Sequence, residues 1–248
     1  MDDTLFQEAC AKVIEQERVT NGIGTLGEKT LHAVLKRFYE PDEAYHEVRV
    51  GNYVADIMRD GEIIEIQTAG FGTMRKKLAA YLQEFHVTIV YPIAHIKWLV
   101  WIDEQTGEAT KRRKSPKTGS VYDAFRELYR IKFLLKNPRL HFCFPLIDLE
   151  EQRVLDGWSR DRKKGSHRYD RIPVALADEI YVDGVQEFDK LIPETLQEPF
   201  TTKDFAKEAK ITVNRAQTAV QVLYYTEAIV RVGKQKNAYL YKRKKEQA

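Results

Sequence analysis

The sequence predicts a mixed α/β (α+β) fold, a mixed sheet flanked by helices, followed by a small domain of two helices and a hairpin. Three observations predict it. Residues 53–67 read as two short apolar strands joined by Asp60-Gly61, the strongest short-range hairpin signal. Apolar residues at helical spacing follow that hairpin, over residues 73–85 and 121–135. Residues 202–242 then read helix, turn, helix, and two short strands around a glycine- and lysine-bearing loop. With 248 residues the chain has room for one large or two modest domains and a substantial core.

From the N-terminus, a helix is expected over residues 4–18, then a turn at Asn21-Gly22-Ile23-Gly24. A second helix opens at Gly27-Glu28-Lys29-Thr30, and residues 46–50 form a strand before the hairpin. Val54, Ile63, Ile64 and Ile66 suggest hairpin strands buried on both faces. A helix over residues 73–85 follows. At about 100° per residue, its Met74, Leu78, Tyr81, Leu82 and Phe85 make one apolar stripe. Lys76 points away from that stripe, whereas Lys77 and Arg75 flank it on opposite sides.

Strands over residues 86–91 and 97–102 come next, and Thr106-Gly107 turns the chain into a basic loop. A helix over 121–135 carries Tyr122, Phe125, Leu128 and Leu135 broadly to one side, and residues 141–149 read as a strand at the far edge of the same sheet. Residues 156–195 combine a basic cluster with an acidic stretch and have no assigned fold. Three segments result: 1–155, the sheet domain; 156–195, a basic loop and connection; and 196–248, the C-terminal domain.

The composition, 43% hydrophobic and 31% charged, is that of an ordinary soluble protein. No apolar run is long enough to cross a bilayer, and no basic-then-apolar leader opens the chain, so a cytoplasmic protein without a membrane partner is expected. Cys10 and Cys143 lack neighbours at ligand spacing and read as reduced thiols, and the six histidines show no paired spacing. The net charge of +3 says little, but its distribution says more. Lys111, Arg112, Arg113, Lys114 and Lys117 crowd one loop, and Arg160, Arg162, Lys163 and Lys164 another. Arg112, Arg113, Arg162, Lys163 and Lys164 are therefore candidate contacts on a phosphate-facing surface.

Asp56 and Glu65 interrupt the apolar hairpin strands, one on each, with eight residues between them. A carboxylate in a buried strand is costly unless paired, and two close together repel. A hard divalent cation relieves both penalties, so the pair is a candidate metal site. Asp, then Glu-x-x on the far arm of a hairpin, resembles the signature of the PD-(D/E)xK nuclease superfamily. The resemblance spans about residues 20–105, in the order helix, strand, hairpin, helix, strand.

What it implies is a restriction-endonuclease-like sheet and a metal-dependent DNA endonuclease. Asp56, Glu65 and the backbone carbonyl of Ile66 would hold Mg²⁺ or Mn²⁺, and Glu28 would complete the shell or hold metal-bound waters. The family's lysine is Gln67 here; it could orient the attacking water but cannot supply positive charge. Lys77, on the following helix, is the expected stand-in.

The C-terminal pattern resembles a winged helix-turn-helix. On its longer helix Val213, Ala216, Val220 and Leu223 are the expected buried stripe. Asn214, Thr218, Gln221 and Tyr225 are the outward face, with Arg215 and Gln217 at its margins, suited to base edges in a major groove, and double-stranded DNA is the partner the resemblance implies. Lys234 and Lys236 at the wing tip suit phosphates. Two rival readings stay open: a DNA-binding regulator whose nuclease-like domain has lost catalysis, and an interaction protein in which both domains bind other proteins. The oligomeric state is open, a homodimer included.

Overall fold

The structure, a computed structural model, describes residues 3–20, 29–156 and 165–244. In chain order the elements are α1 (Asp3–Thr20), α2 (Thr30–Tyr39), β1 (His46–Val50), β2 (Tyr53–Arg59), β3 (Glu62–Ile66), α3 (Phe71–Tyr81), β4 (His86–Val90) and β5 (Ile93–Asp103). Then come β6 (Arg113–Lys114), α4 (Phe125–Arg130), β7 (Leu140–Leu155), β8 (Ser166–Val182), α5 (Thr202–Glu208), α6 (Val213–Tyr225), β9 (Ile229–Gln235) and β10 (Ala238–Arg243).

Strands β1 to β8 form one mixed sheet, and β9 and β10 a separate hairpin. Within the sheet β2/β3 and β5/β6 are antiparallel, whereas β3/β4, β4/β7 and β5/β7 are parallel. The mixed α/β class is the one the sequence predicts.

The chain divides into two compact units that interleave along the sequence. One comprises Met1–Val48, Pro92–Ser120 and Pro145–Glu179; the other Arg49–Tyr91, Val121–Phe144 and Ile180–Ala248. In the first unit, α1 and α2 meet edge to face through Phe6 and Phe38, at 5.3 Å between ring centroids. Leu31, Val34 and Leu35 of α2 are fully buried. Lys29 gives α2 no side-chain cap; buried Asp170 of β8 accepts from the Thr30 N–H at 3.3 Å and from the Thr30 hydroxyl instead. An acceptor at that position satisfies a free N–H and complements the helix dipole.

In the second unit, the β2–β3 turn places Asp60 at φ 51° and Gly61 at φ 83°. Two left-handed residues in succession make the type I′ turn that Asp-Gly favours. Ile57, Ile63, Ile66, Val87, Ile89, Phe142 and Phe144 from β2, β3, β4 and β7 are buried. Helix α3 adds Phe71, Met74, Leu78 and Tyr81. Its N-cap Gly70, at φ 77°, has no side chain to cap the helix. Buried Glu127 of α4 does so, accepting from the Phe71 N–H at 2.9 Å. Helix α5 starts with a reciprocal Thr201–Asp204 capping box, and Thr212 accepts from the Arg215 N–H at the start of α6.

Several elements differ from the sequence expectations. The strand expected at the sheet edge over 141–149 runs Leu140–Leu155 and pairs with β4, β5 and β8. Consecutive Phe142, Cys143 and Phe144 are buried, which an edge strand with one solvated face would not allow. The helix expected over 121–135 is broken into α4 and flanking 3₁₀ turns, because Ile131 leaves helical backbone (φ −112°, ψ 19°) to bury its side chain. Helix α3 begins two residues earlier than expected, where Glu127 caps it and Phe71 is buried. Val54 is half exposed rather than buried. The unassigned 156–195 segment contains β8, a 17-residue strand.

Cys10 and Cys143 are buried and are not joined in a disulfide. Among the described residues no helix is long and apolar enough to cross a membrane.

Candidate active site

The β2–β3 register pairs Ile57 with Ile64. Continued by one pair, it sets Asp56 opposite Glu65, so both carboxylates leave the same face of the hairpin. Asp56 Oδ2 accepts from the Ile66 N–H at 2.8 Å, which fixes the aspartate against the neighbouring strand. Glu65 is 3% exposed. Lys77 Nζ donates to its Oε2 at 2.7 Å, while its Oε1 is buried with no hydrogen-bond partner among the described residues.

One turn of α3 beyond Lys77 stands Tyr81, whose ring centroid lies 5.6 Å from Lys77 Nζ. Its hydroxyl is also buried and without a partner among the described residues. Tyr53 meets that ring edge to face at 6.0 Å.

The electrostatics follow from this packing. Burial, and next the charge of Asp56, push the Glu65 carboxyl from 4.5 up to about 7, although Lys77 pulls it partly back. Burial and the charges of Glu65 and Asp56 push the Tyr81 phenol up as well. Two carboxylates and one ammonium leave one negative charge in a poorly solvated corner, where charge is most costly.

The expected site residues fall out as follows. Asp56, Glu65 and Lys77 come together, and Lys76 on the same helix is exposed. Ile66 ends β3, buried at 2% exposure. Gln67 is turned away: its Nε2 donates to the Ala69 carbonyl at 2.6 Å and its N–H to Val90 at 2.9 Å. Glu28 lies outside the described residues, as do Arg160, Arg162, Lys163 and Lys164. Among the described residues no group of three or more His, Cys, Asp or Glu side chains has metal-ligand spacing.

Of the expected nucleic-acid contacts, Asn214, Gln221, Lys234, Lys236 and Arg113 are exposed. Arg215 is committed to an ion pair with Asp123, and Thr218 is half buried with its hydroxyl on the Asn214 carbonyl at 3.4 Å. Arg112 lies 3.7 Å from Glu150 and stacks 4.0 Å over Trp98. Tyr225 is half buried against Phe133. The buried side of α6 is Ala216, Ala219, Val220, Val222 and Leu223, with Val213 exposed. The solvent face is thus turned from the expected one, toward Val213, Asn214, Gln217, Gln221 and Tyr224. The cause is the contact of Arg215 and Tyr225 with the segment around α4, which covers one flank of the helix.

Sequence reasoning did not single out Tyr81 or Glu127. The signal for Tyr81 was a polar tip on an otherwise apolar stripe, four residues from Lys77. It also missed a polar constellation on the parallel β4/β7 pair. His86 Nδ1 lies 3.0 Å from His141 Nε2, the rings stacked, and His141 Nδ1 is 2.6 Å from Asp183. With 54 residues between the histidines, no local spacing could reveal that pair.

The model of a family described as a domain of unknown function (DUF8091) matches residues 29–183, and the chain belongs to that family. The match includes Asp56, Glu65 and Lys77 and ends before α5. An uncharacterized protein of Treponema pallidum (strain Nichols) is 31% identical over 167 residues, 67% of this chain. The chain spans 64% of that relative's length. No solved structure matches it significantly.

Proposed function

We propose that this DUF8091 protein is a metal-dependent deoxyribonuclease of the PD-(D/E)xK type, hydrolysing phosphodiester bonds. Its C-terminal helix-turn-helix and hairpin would act as a winged helix that holds duplex DNA. The observation that carries the reading is the Lys77–Glu65 contact at 2.7 Å, opposite Asp56, on an acid whose other oxygen is buried with no hydrogen-bond partner among the described residues.

The donor set fits a small hard cation. Mg²⁺ commonly uses only one or two carboxylates and completes its shell with waters and substrate phosphate, so a two-acid site suffices. Asp56 and the free Glu65 Oε1 would hold it. When bound, such an ion activates a water and offsets charge on the phosphate.

The protein's own contribution is placement. Lys77, its ammonium already at the acid pair, supplies the positive charge that Gln67 cannot. Glu127 caps α3 and so fixes the helix that presents Lys77. The hairpin register holds the two acids on one face.

The test is incubation of the purified protein with plasmid and linear duplex DNA, in Mg²⁺, in Mn²⁺ and in chelator. Mn²⁺ calorimetry on wild type, Asp56→Ala and Glu65→Ala runs alongside. Cleavage in metal alone, with a Mn²⁺ site lost in both variants, is the expected result. If the wild type cleaves nothing with any metal yet binds duplex tightly, the regulator reading replaces this one. Equal Mn²⁺ binding by wild type and the double variant would remove the metal site.

A further inference from the structure

The second unit carries a run of alternating rings and cations of which the nuclease reading uses only Lys234. The 3₁₀ turn after α4, Lys132–Leu134, presents Phe133 at 81% exposure. Lys132 Nζ sits 5.2 Å from the ring centroids of both Tyr129 and Phe133, and 5.3 Å from that of Tyr225. An open cavity of about 720 Å³ begins there, lined by Lys132, Lys136, Tyr224, Tyr225, Arg231 and Tyr241 among others. On its wall the Arg231 guanidinium lies 4.5 Å from the Tyr224 ring centroid and 4.1 Å from that of Tyr239, and Lys234 Nζ is 4.8 Å from the Tyr239 ring. Tyr129, Tyr224 and Tyr239 are each at least 40% exposed. The neighbouring acid, Glu227, is held by Lys136 at 2.6 Å and Lys244 at 2.8 Å, so it leaves Lys132, Arg231 and Lys234 their charge.

We propose that this strip binds a single-stranded polynucleotide, its unpaired bases stacking on Phe133 and the exposed tyrosines and its phosphates meeting Lys132, Arg231 and Lys234. Exposed rings interleaved with cations are the two elements that single-strand sites combine, since every base has a face to stack and every link a phosphate. A duplex hides its base faces and has no use for the rings. A protein partner would be met by a dry apolar centre, whereas here most exposed rings carry a cation beside them. The binding claim stands without catalysis. Only its extension, that the substrate has a single-stranded stretch beside the duplex, rests on the proposed nuclease activity.

Fluorescence anisotropy of full-length protein in chelator, with labelled oligo(dT), oligo(rU) and a hairpin duplex, separates this claim from cleavage. Both single strands should bind, because stacking does not read the sugar. Phe133→Ala should weaken them about tenfold, the loss of one stacked base, and leave the duplex unchanged. Phe133→Leu, which keeps bulk without a ring, should fall as far as alanine, and Phe133→Trp should retain wild-type affinity. A double Lys132→Ala, Lys234→Ala variant should flatten the salt dependence by about 0.7 per lost phosphate contact. Because Phe133, though 81% exposed, also meets Tyr225, thermal melts of each variant accompany the binding curves, and unchanged melts with the expected losses separate stacking from a disturbed fold. Failure of both single strands to bind overturns the proposal. So does wild-type single-strand affinity in Phe133→Ala or Phe133→Leu, the latter marking a surface that reads bulk, as a protein interface does.

Discussion

Glu65→Gln should stabilise the metal-free protein at neutral pH, an uncommon sign for a change at a buried position. Burial and Asp56 hold the Glu65 carboxyl at about 7 in the folded chain, against 4.5 ordinarily. The folded state therefore binds this proton more tightly than the unfolded state. Below pH about 4.5 both states carry it and the group costs nothing. As pH rises from there through 7, only the unfolded chain ionises freely, and folding loses up to about 3 kcal/mol. Glutamine stays neutral throughout and removes that loss. It leaves Lys77 facing an amide oxygen, but the lysine side chain is 22% exposed and water covers part of its charge. The net gain should be about 1–2 kcal/mol at pH 8, or roughly 2–8 °C in Tm for a chain of this size. Thermal melts of both proteins in chelator, from pH 4 to 8, give the measurement: the curves should meet at the acid end and separate as pH rises. Adding Mn²⁺ at about a hundred times its Kd should then stabilise wild type by about 2.7 kcal/mol and leave the variant unmoved. A Glu65→Gln protein less stable than wild type by the same amount at pH 8 and at pH 4 would refute the reasoning. It would mean that Lys77 already satisfies the acid and that no cation is wanted there.

Lys77→Ala should lower hydrolysis about 10²–10³-fold in plasmid cleavage, while Lys76→Ala on the exposed side changes little; equal sensitivity would contradict the Lys77–Glu65 contact. Gln67→Lys should preserve or raise the rate, read in the same assay. Tyr81→Phe removes a buried hydroxyl with no partner among the described residues, so its urea midpoint in chelator should stay level or rise, whereas a loss above about 1 kcal/mol would reveal a hidden acceptor. Lys234→Ala with Lys236→Ala should reduce the salt slope of duplex binding by about 0.9 per lost phosphate contact, and an unchanged slope would move the hairpin off the DNA.

What could be read from the sequence was decided by near neighbours. The Asp60-Gly61 turn, the acids on its two arms and the phase of α3 are local patterns, and Lys77 is at the acid pair because it flanks the apolar stripe that buries Met74, Leu78 and Tyr81. Residues 166–182 escaped assignment because a strand bearing Asp170, Asp178 and Glu179 among its apolar residues lacks a clean alternation. Two of its acids meet partners distant in sequence, Thr30 for Asp170 and Tyr39 for Glu179. Val213 was misplaced because helical phasing gives a stripe without saying where along it the neighbour stops.

The short helix α4 shows most clearly why the supporting residues stayed hidden. Its Glu127 reaches the Phe71 N–H and caps the helix that presents Lys77. Around it, Asp123 pairs with Arg215 of α6, and Phe133 meets Tyr225. Helix α3 starts at a left-handed glycine and has no cap of its own, so its end would be poorly satisfied without Glu127. The same segment that completes α3 also turns α6 by covering its Arg215–Tyr225 flank. The placement of Lys77 at the acids and the solvent face of α6 thus both depend on one six-residue helix and its flanking turns, whose own periodicity is too short to announce them. Removal of residues 196–248 would strip Phe205 from Tyr122 and Tyr225 from Phe133. That deletion would disturb the support of α3 along with any DNA contact. Point substitutions on the solvent face, Asn214, Gln221, Lys234 and Lys236, separate the two effects where the deletion cannot.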